Sequence, residues 1–179
     1  MKGLQKVSGV GALLLAVSFV LLIVGNVVVA SRLDATSSSR IVGLIQILFA
    51  VGFTLTAPGL NDRLQERSPN LMRIATASGL GGAVLFLATG MFNFGAPPAA
   101  VGDVGTALIR ASIFAAGWWA LLASWAGLQG GLPKILSYLG LLFGALGILS
   151  FAIPPFNPLS ALFGIVWSAW LGITLLREK

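Results

Sequence analysis

Five polar side chains lie within or beside apolar runs that are long enough to cross a lipid bilayer: Asn26, Gln46, Asn93, Asp103 and Arg110. Polar groups inside a membrane are costly and are therefore candidates for function. Asp103 precedes Arg110 by seven residues, which places both on one face of a helix and allows them to pair. Together the five predict a polar cavity open to the outer side of the membrane, suited to a small polar or anionic ligand. In the alternative interpretation, Arg110 extends to the lipid headgroups and the amides satisfy neighbouring backbone groups.

Several kinds of chemistry are excluded because the chain contains no histidine and no cysteine. A zinc site would lack its usual ligands, and a haem would lack its commonest axial ligand. A serine or cysteine nucleophile activated by histidine is excluded, as are disulfide bonds. The sequence therefore predicts no catalytic residue, no bound metal and no cofactor, and it favours a protein that is not an enzyme.

Large aromatic and very small residues recur in the apolar runs, and each set has two interpretations. The tryptophans could contact a lipid or another ligand, or they could fill the interior of a bundle. They are Trp118, Trp119, Trp167 and Trp170. Small residues spaced four apart let helices approach closely, which serves either internal packing or a partner-binding face. The candidate helix-packing residues are Gly140, Gly144, Gly164, Ser168 and Gly172.

The apolar runs that position these residues are typical of membrane-spanning helices. Apolar residues make up 57% of the 179-residue chain and charged residues only 9%, with a mean hydropathy of +0.97. A soluble fold of this length cannot bury so much apolar surface. A helix needs about 20 apolar residues to span the hydrocarbon core. Such runs lie at about 7–30, 41–60, 74–94, 106–128, 135–153 and 159–176, which predicts an all-α transmembrane bundle of six spans forming one domain over residues 1–179.

The basic residues predict which side of the membrane each link occupies. With six spans, both termini and the second and fourth links share one side, which carries eight basic residues. These are Lys2, Lys6, Arg63, Arg67, Arg73, Lys134, Arg177 and Lys179, against Arg32, Arg40 and Arg110 on the other side. Because basic residues accumulate in cytoplasmic links, both termini are expected in the cytoplasm. The run at 7–30 exceeds the length of a signal-peptide core, so it is expected to remain as an uncleaved first helix.

Three segments carry a resemblance to a known family. They are the stretch from Asn61-Asp62-Arg63-Leu64 to Asn70-Leu71-Met72-Arg73-Ile74, the turn Gly127-Leu128-Gln129-Gly130-Gly131-Leu132-Pro133-Lys134 with Leu139-Gly140, and the last-helix segment Trp167-Ser168-Ala169-Trp170-Leu171-Gly172. In these segments the chain resembles a bacterial six-span membrane family called domain of unknown function number 4386. The resemblance implies a multi-pass protein of the bacterial cytoplasmic (inner) membrane. It carries over no catalytic residue, because the family has no established activity.

These features favour an integral membrane protein without catalytic chemistry, either an accessory subunit of a membrane complex or a binder of a lipid-like molecule. The alternative is a small transporter with an outward-facing polar cavity. No Asp, Glu or Lys lies at mid-membrane, which argues against a proton-driven pump. The expected partners are membrane lipids, other membrane subunits or a second copy of the chain. Nucleic acid is not expected, because the basic residues form no stripe.

The orientation can be tested by fusing a reporter that is active only in the cytoplasm to each end of the chain in turn. Both fusions are expected to be active, since the basic links and both termini share the cytoplasmic side. A reporter inserted beside Arg40 serves as the control and is expected to be inactive. Activity at one terminus and not at the other would contradict the predicted topology.

Overall fold

A computed structural model describes residues 2–25, 33–96 and 98–177, and within these residues all regular structure is helical. The six helices are α1 (Lys2–Val24), α2 (Ala35–Leu64), α3 (Pro69–Gly95), α4 (Pro98–Leu128), α5 (Lys134–Ala152) and α6 (Phe156–Arg177). All six are long and apolar enough to cross a membrane. The predicted all-α bundle of six spans is therefore confirmed, and the chain is a multi-pass membrane protein.

Several helices extend beyond the apolar runs, because polar and small residues continue them. α2 begins at Ala35 rather than at 41, after Asp34, whose carboxylate accepts a hydrogen bond from the Ser37 backbone N–H at 2.9 Å. That bond satisfies one of the free donors at the helix start, and it lowers the pKa of the Asp34 carboxyl. The helix α3 begins at Pro69, which suits this position because the first turn of a helix needs no N–H there.

The helix α2 continues through Pro58 to Leu64 without ending. Proline supplies no N–H to the preceding turn, and in hydrocarbon no water can take its place. A hydroxyl from α1 contributes hydrogen bonding beside this position, because Ser8 Oγ donates to the carbonyl oxygen of Leu55 at 2.7 Å. The neighbouring helix therefore adds a hydrogen bond to α2 one residue away from the Thr54 carbonyl, which Pro58 leaves without its helical donor.

The helices form a closed ring. Each packs against its neighbours in sequence, α1 packs against α6, and α2 also touches α4. Successive helices run in opposite directions, so the bundle has two ends. We call the end where α1 begins and α6 ends the terminal end, and the end where α1, α3 and α5 finish the far end.

Two links dock onto each other at the terminal end. The guanidinium Nε of Arg63 donates to the carbonyl oxygen of Gly131, and the Ser68 hydroxyl donates to Gln129 Oε1. The turn between α4 and α5 contains Gly130 and Gly131, both with positive φ, a conformation that favours glycine. These contacts join the α2–α3 link to the α4–α5 link, so the polar segments at this end form one unit.

Pairs of facing glycines bring neighbouring helices into backbone contact. A Cβ added to Gly144 would lie 2.6 Å from the backbone nitrogen of Leu121 and 2.7 Å from the carbonyl oxygen of Gly117. A Cβ added to Gly117 would in turn lie 2.9 Å from the carbonyl oxygen of Gly144. The same reciprocal arrangement occurs at Gly11 with Gly52, Gly43 with Gly90, and Gly9 with Gly172. Close van der Waals packing of this kind holds helices together in lipid, where the hydrophobic effect cannot.

Alanine substitutions at two glycines test this packing. Gly144→Ala is expected to lower the free energy of unfolding by about 1–3 kcal/mol, because backbone atoms must move to admit the methyl group. Gly81→Ala is the matched control, since nothing lies within 4 Å of a Cβ there. The control is expected to stabilise α3 by about 0.5–1 kcal/mol through the higher helix propensity of alanine. The measurement is thermal unfolding in detergent, and equal effects of the two substitutions would contradict the close contact.

Candidate functional site

Seven aromatic side chains form a closed chain of contacts inside the ring of helices. The order around it is Phe19, Phe49, Phe86, Phe53, Trp119, Trp167, Phe143 and back to Phe19, with ring centroids 4.7–5.6 Å apart. Every helix contributes at least one member, and we call this set the core aromatic cluster. Edge-on and offset contacts of this kind stabilise an interior beyond the area they bury. The cluster therefore fills the middle of the bundle.

The four predicted tryptophans divide between the interior and the surface. Trp119 and Trp167 belong to the core aromatic cluster and are fully buried. Trp118 is 40% exposed on the outside of α4, and Trp170 is similarly exposed on α6. The exposed pair lies on the outer surface of the bundle, whereas the buried pair packs against protein.

The predicted helix-packing residues all contact other parts of the same chain. Gly164 faces Phe19 and Phe143, and Gly172 faces Gly9 and Leu13. Gly140 lies against Ser124 and Trp167, while Gly144 contacts α4 as described above. Ser168 is buried as well. The small-residue faces of α5 and α6 are thus occupied within the chain.

A small internal cavity adjoins the core aromatic cluster on its far-end side, and we call it the inner recess. Its volume is about 30 Å³, measured as the space open to the centre of a water-sized sphere. All six helices contribute to its wall, which is almost entirely apolar. The polar exceptions are Gln46, Asn157 and Ser160.

Two buried amides meet beside the inner recess. Asn93 Nδ2 donates a hydrogen bond to Gln46 Oε1 at 2.8 Å, and the two side chains are only 7% and 1% exposed. The other two polar atoms of the pair, Gln46 Nε2 and Asn93 Oδ1, are buried without a hydrogen-bond partner. Ser39 Oγ donates to the backbone carbonyl of Asn93 at 2.7 Å, which fixes the end of α3 against α2. Reversing both amides would exchange their nitrogen and oxygen atoms, but one N–H donor and one oxygen acceptor would still remain free.

An open groove of about 410 Å³ lies on the other side of this amide pair, between α2, α3 and α4, and we call it the far-end groove. Its wall consists of Val42, Gln46, Asn93, Gly102, Gly105, Thr106 and Ile109. Gln46 and Ile109 also line the inner recess, so they separate the two spaces. Among the described residues, every side chain that lines the groove or the recess is uncharged.

The structure brings together two of the five residues predicted to form a polar cluster. Gln46 and Asn93 pair as described. Asp103 and Arg110 are exposed on α4, and within the described part of the chain they form no ion pair with each other. Asn26 lies outside the described residues.

Sequence reasoning missed Ser160, Asn157 and Ile109, which line the recess. Asn157 lies in the first turn of α6, next to prolines that predict a link, and Ile109 is one of many apolar residues, so neither stands out in the sequence. One signal was available for the amides. Gln46 and Asn93 each lie three residues from a glycine of the facing Gly43–Gly90 pair, on opposite sides of that contact because the two helices are antiparallel, so their side chains must reach towards each other across it.

No grouping of acidic residues that could hold a metal ion occurs in the described ranges. Comparisons of the chain with protein-family models, with curated proteins and with solved structures found no match. The resemblance to the six-span family therefore stays a prediction.

The amide pair can be tested by a double-mutant cycle on unfolding in detergent. Gln46→Leu is expected to lower the free energy of unfolding by about 1 kcal/mol, because it leaves both polar atoms of Asn93 buried without a partner. Adding Asn93→Leu is expected to recover much of that loss, since both polar partners are then replaced by apolar groups. Additive losses in the double variant would contradict a direct interaction.

Proposed function

We propose that this membrane protein binds a small, largely apolar molecule from the bilayer at the far-end groove and the inner recess. The single observation that supports this most strongly is the buried amide pair at the boundary between the two spaces. Binding sites for small molecules are typically apolar, with a few placed polar groups that fix orientation. The groove volume of about 410 Å³ also falls within the usual range for such sites, about 300–1,000 Å³.

The uncharged lining supports an apolar ligand over an ionic one. A charged group moved into apolar surroundings without a partner carries a large desolvation cost. The side chains of Asp103 and Arg110, which could offset that cost, are not among those lining the groove or the recess. This placement favours binding of a neutral molecule over the alternative of a transporter for a small polar or anionic substrate.

The packing of the small residues favours a ligand-binding protein over an accessory subunit. A subunit that docks through glycine-rich helix faces needs those faces free. In this chain Gly140, Gly144, Gly164 and Gly172 contact its own helices. The remaining exposed surface carries large apolar side chains on every helix, as expected for contact with lipid.

A photoreactive residue carrying a diazirine, placed at position 106 in the groove, tests the proposal in intact membranes. One dominant neutral adduct is expected there, because a bound ligand occupies the groove in preference to bulk lipid. Mass spectrometry of the purified protein identifies the adduct.

The matched control places the same photoreactive residue at position 54, in an apolar depression between α2 and α3 lined by Ala50, Val51 and Leu55 among others. A mixture that reflects the bulk phospholipids is expected at that position. The same bulk mixture at both positions would rule out a specific ligand in the groove.

A further inference from the structure

We infer that the ligand carries a neutral hydroxyl group, which the Gln46–Asn93 pair binds by accepting from it and donating to it. This inference rests on the proposed function and specifies the class of ligand. It starts from the two unpaired atoms, Gln46 Nε2 and Asn93 Oδ1, each buried and each belonging to a side chain more than nine-tenths buried. One of these atoms can only donate and the other can only accept.

The chemistry of the free atoms distinguishes among headgroups. A hydroxyl both donates and accepts, so it matches in kind both the free donor and the free acceptor. A carboxylate or an ether only accepts, and an ammonium group only donates, so each would leave one buried atom unpaired. A buried polar group left without a partner is costly enough to decide between otherwise similar ligands.

The surroundings of the pair favour the same class. The carboxylate and ammonium headgroups also carry charge, and none of the lining residues that the structure describes offers an opposite charge. The far-end groove of about 410 Å³, whose wall includes Val42 and Ile109, has room for a carbon skeleton next to the hydroxyl. A long-chain alcohol or another neutral amphiphile with a free hydroxyl has both features.

A single water molecule has the same donor and acceptor character and is the competing occupant. The recess volume of about 30 Å³ is large enough for a water, which needs about 10–15 Å³ by this measure. The experiment must therefore separate a hydroxyl that belongs to an amphiphile from water alone.

The test uses four photoreactive probes with one common alkyl chain and different headgroups: a primary alcohol, its methyl ether, a carboxylate and a trimethylammonium. The full-length protein is reconstituted in phosphatidylcholine nanodiscs, and labelling is mapped by mass spectrometry to the groove segments of α2, α3 and α4. The alcohol is expected to label these segments with at least about tenfold higher apparent affinity than the ether, which corresponds to the loss of one buried hydrogen bond. Unlabelled alcohol should compete with this labelling, and the unlabelled ether should not.

The outcomes separate this inference from the proposed function. Equal labelling of the groove by alcohol and ether, or stronger labelling by a charged probe, overturns the hydroxyl inference while the binding of an apolar molecule stands. Absence of groove labelling by all four probes, with positions facing lipid labelled, means that water alone occupies the site and overturns both. All of these labelling measurements use the unaltered protein, so their interpretation does not depend on whether a variant folds correctly.

Two variants sharpen the result. In Gln46→Leu/Asn93→Leu the preference for alcohol over ether is expected to disappear, because no polar atom of the pair remains. Thr54→Val is the matched control, since the Thr54 hydroxyl donates to the carbonyl oxygen of Ala50 in its own helix and lies away from the groove. Unchanged alcohol selectivity in the double variant would overturn the role assigned to the amide pair.

Discussion

Direct contact between helix backbones is the interaction on which this fold depends. An apolar side chain gains little free energy by moving from lipid into a contact between helices, because both surroundings are apolar. Helices in lipid therefore associate through close packing and a few hydrogen bonds. Four interfaces of the bundle achieve such packing with facing glycines, as at Gly43 with Gly90 and Gly9 with Gly172. Because the helices approach so closely, the interior is narrow, and the core aromatic cluster fills its middle. The close contacts between glycines therefore determine both the stability of the bundle and the shape of its interior.

The candidate site lies where this filling is incomplete. Beyond the aromatic rings, towards the far end, side chains from all six helices leave a recess that the bundle does not occupy. The Gly43–Gly90 contact draws α2 and α3 together one turn away, which lets Gln46 reach Asn93 across the interface. The amide pair is thus held by the same packing that stabilises the helices, and it needs no loop to position it. A site built on rigid elements keeps its geometry better than one built on loops.

The sequence predicted the number and type of helices well, because each apolar run is long enough to satisfy its own backbone in hydrocarbon. It predicted the helix ends poorly, since Asp34 and the residues after it continue α2 outside the apolar run. The rotation of each helix was also beyond reach. Trp118 and Trp119 are adjacent, yet only Trp119 faces the interior. Asp103 and Arg110 do share a face, but that face is exposed, and only tertiary packing decides which face turns inward.

The contact between α1 and α6 has a consequence for how the chain is made. Gly9 meets Gly172, so α1 leaves the ribosome well before α6, one of its two neighbours in the ring, has been synthesised. Until then the ring stays open, and the face of α1 that packs against α6 is exposed to lipid. A chain stopped before α6 would present that unfilled surface to the membrane for as long as it persists. Closure of the ring is therefore a late step of assembly, because it needs both α1 and α6.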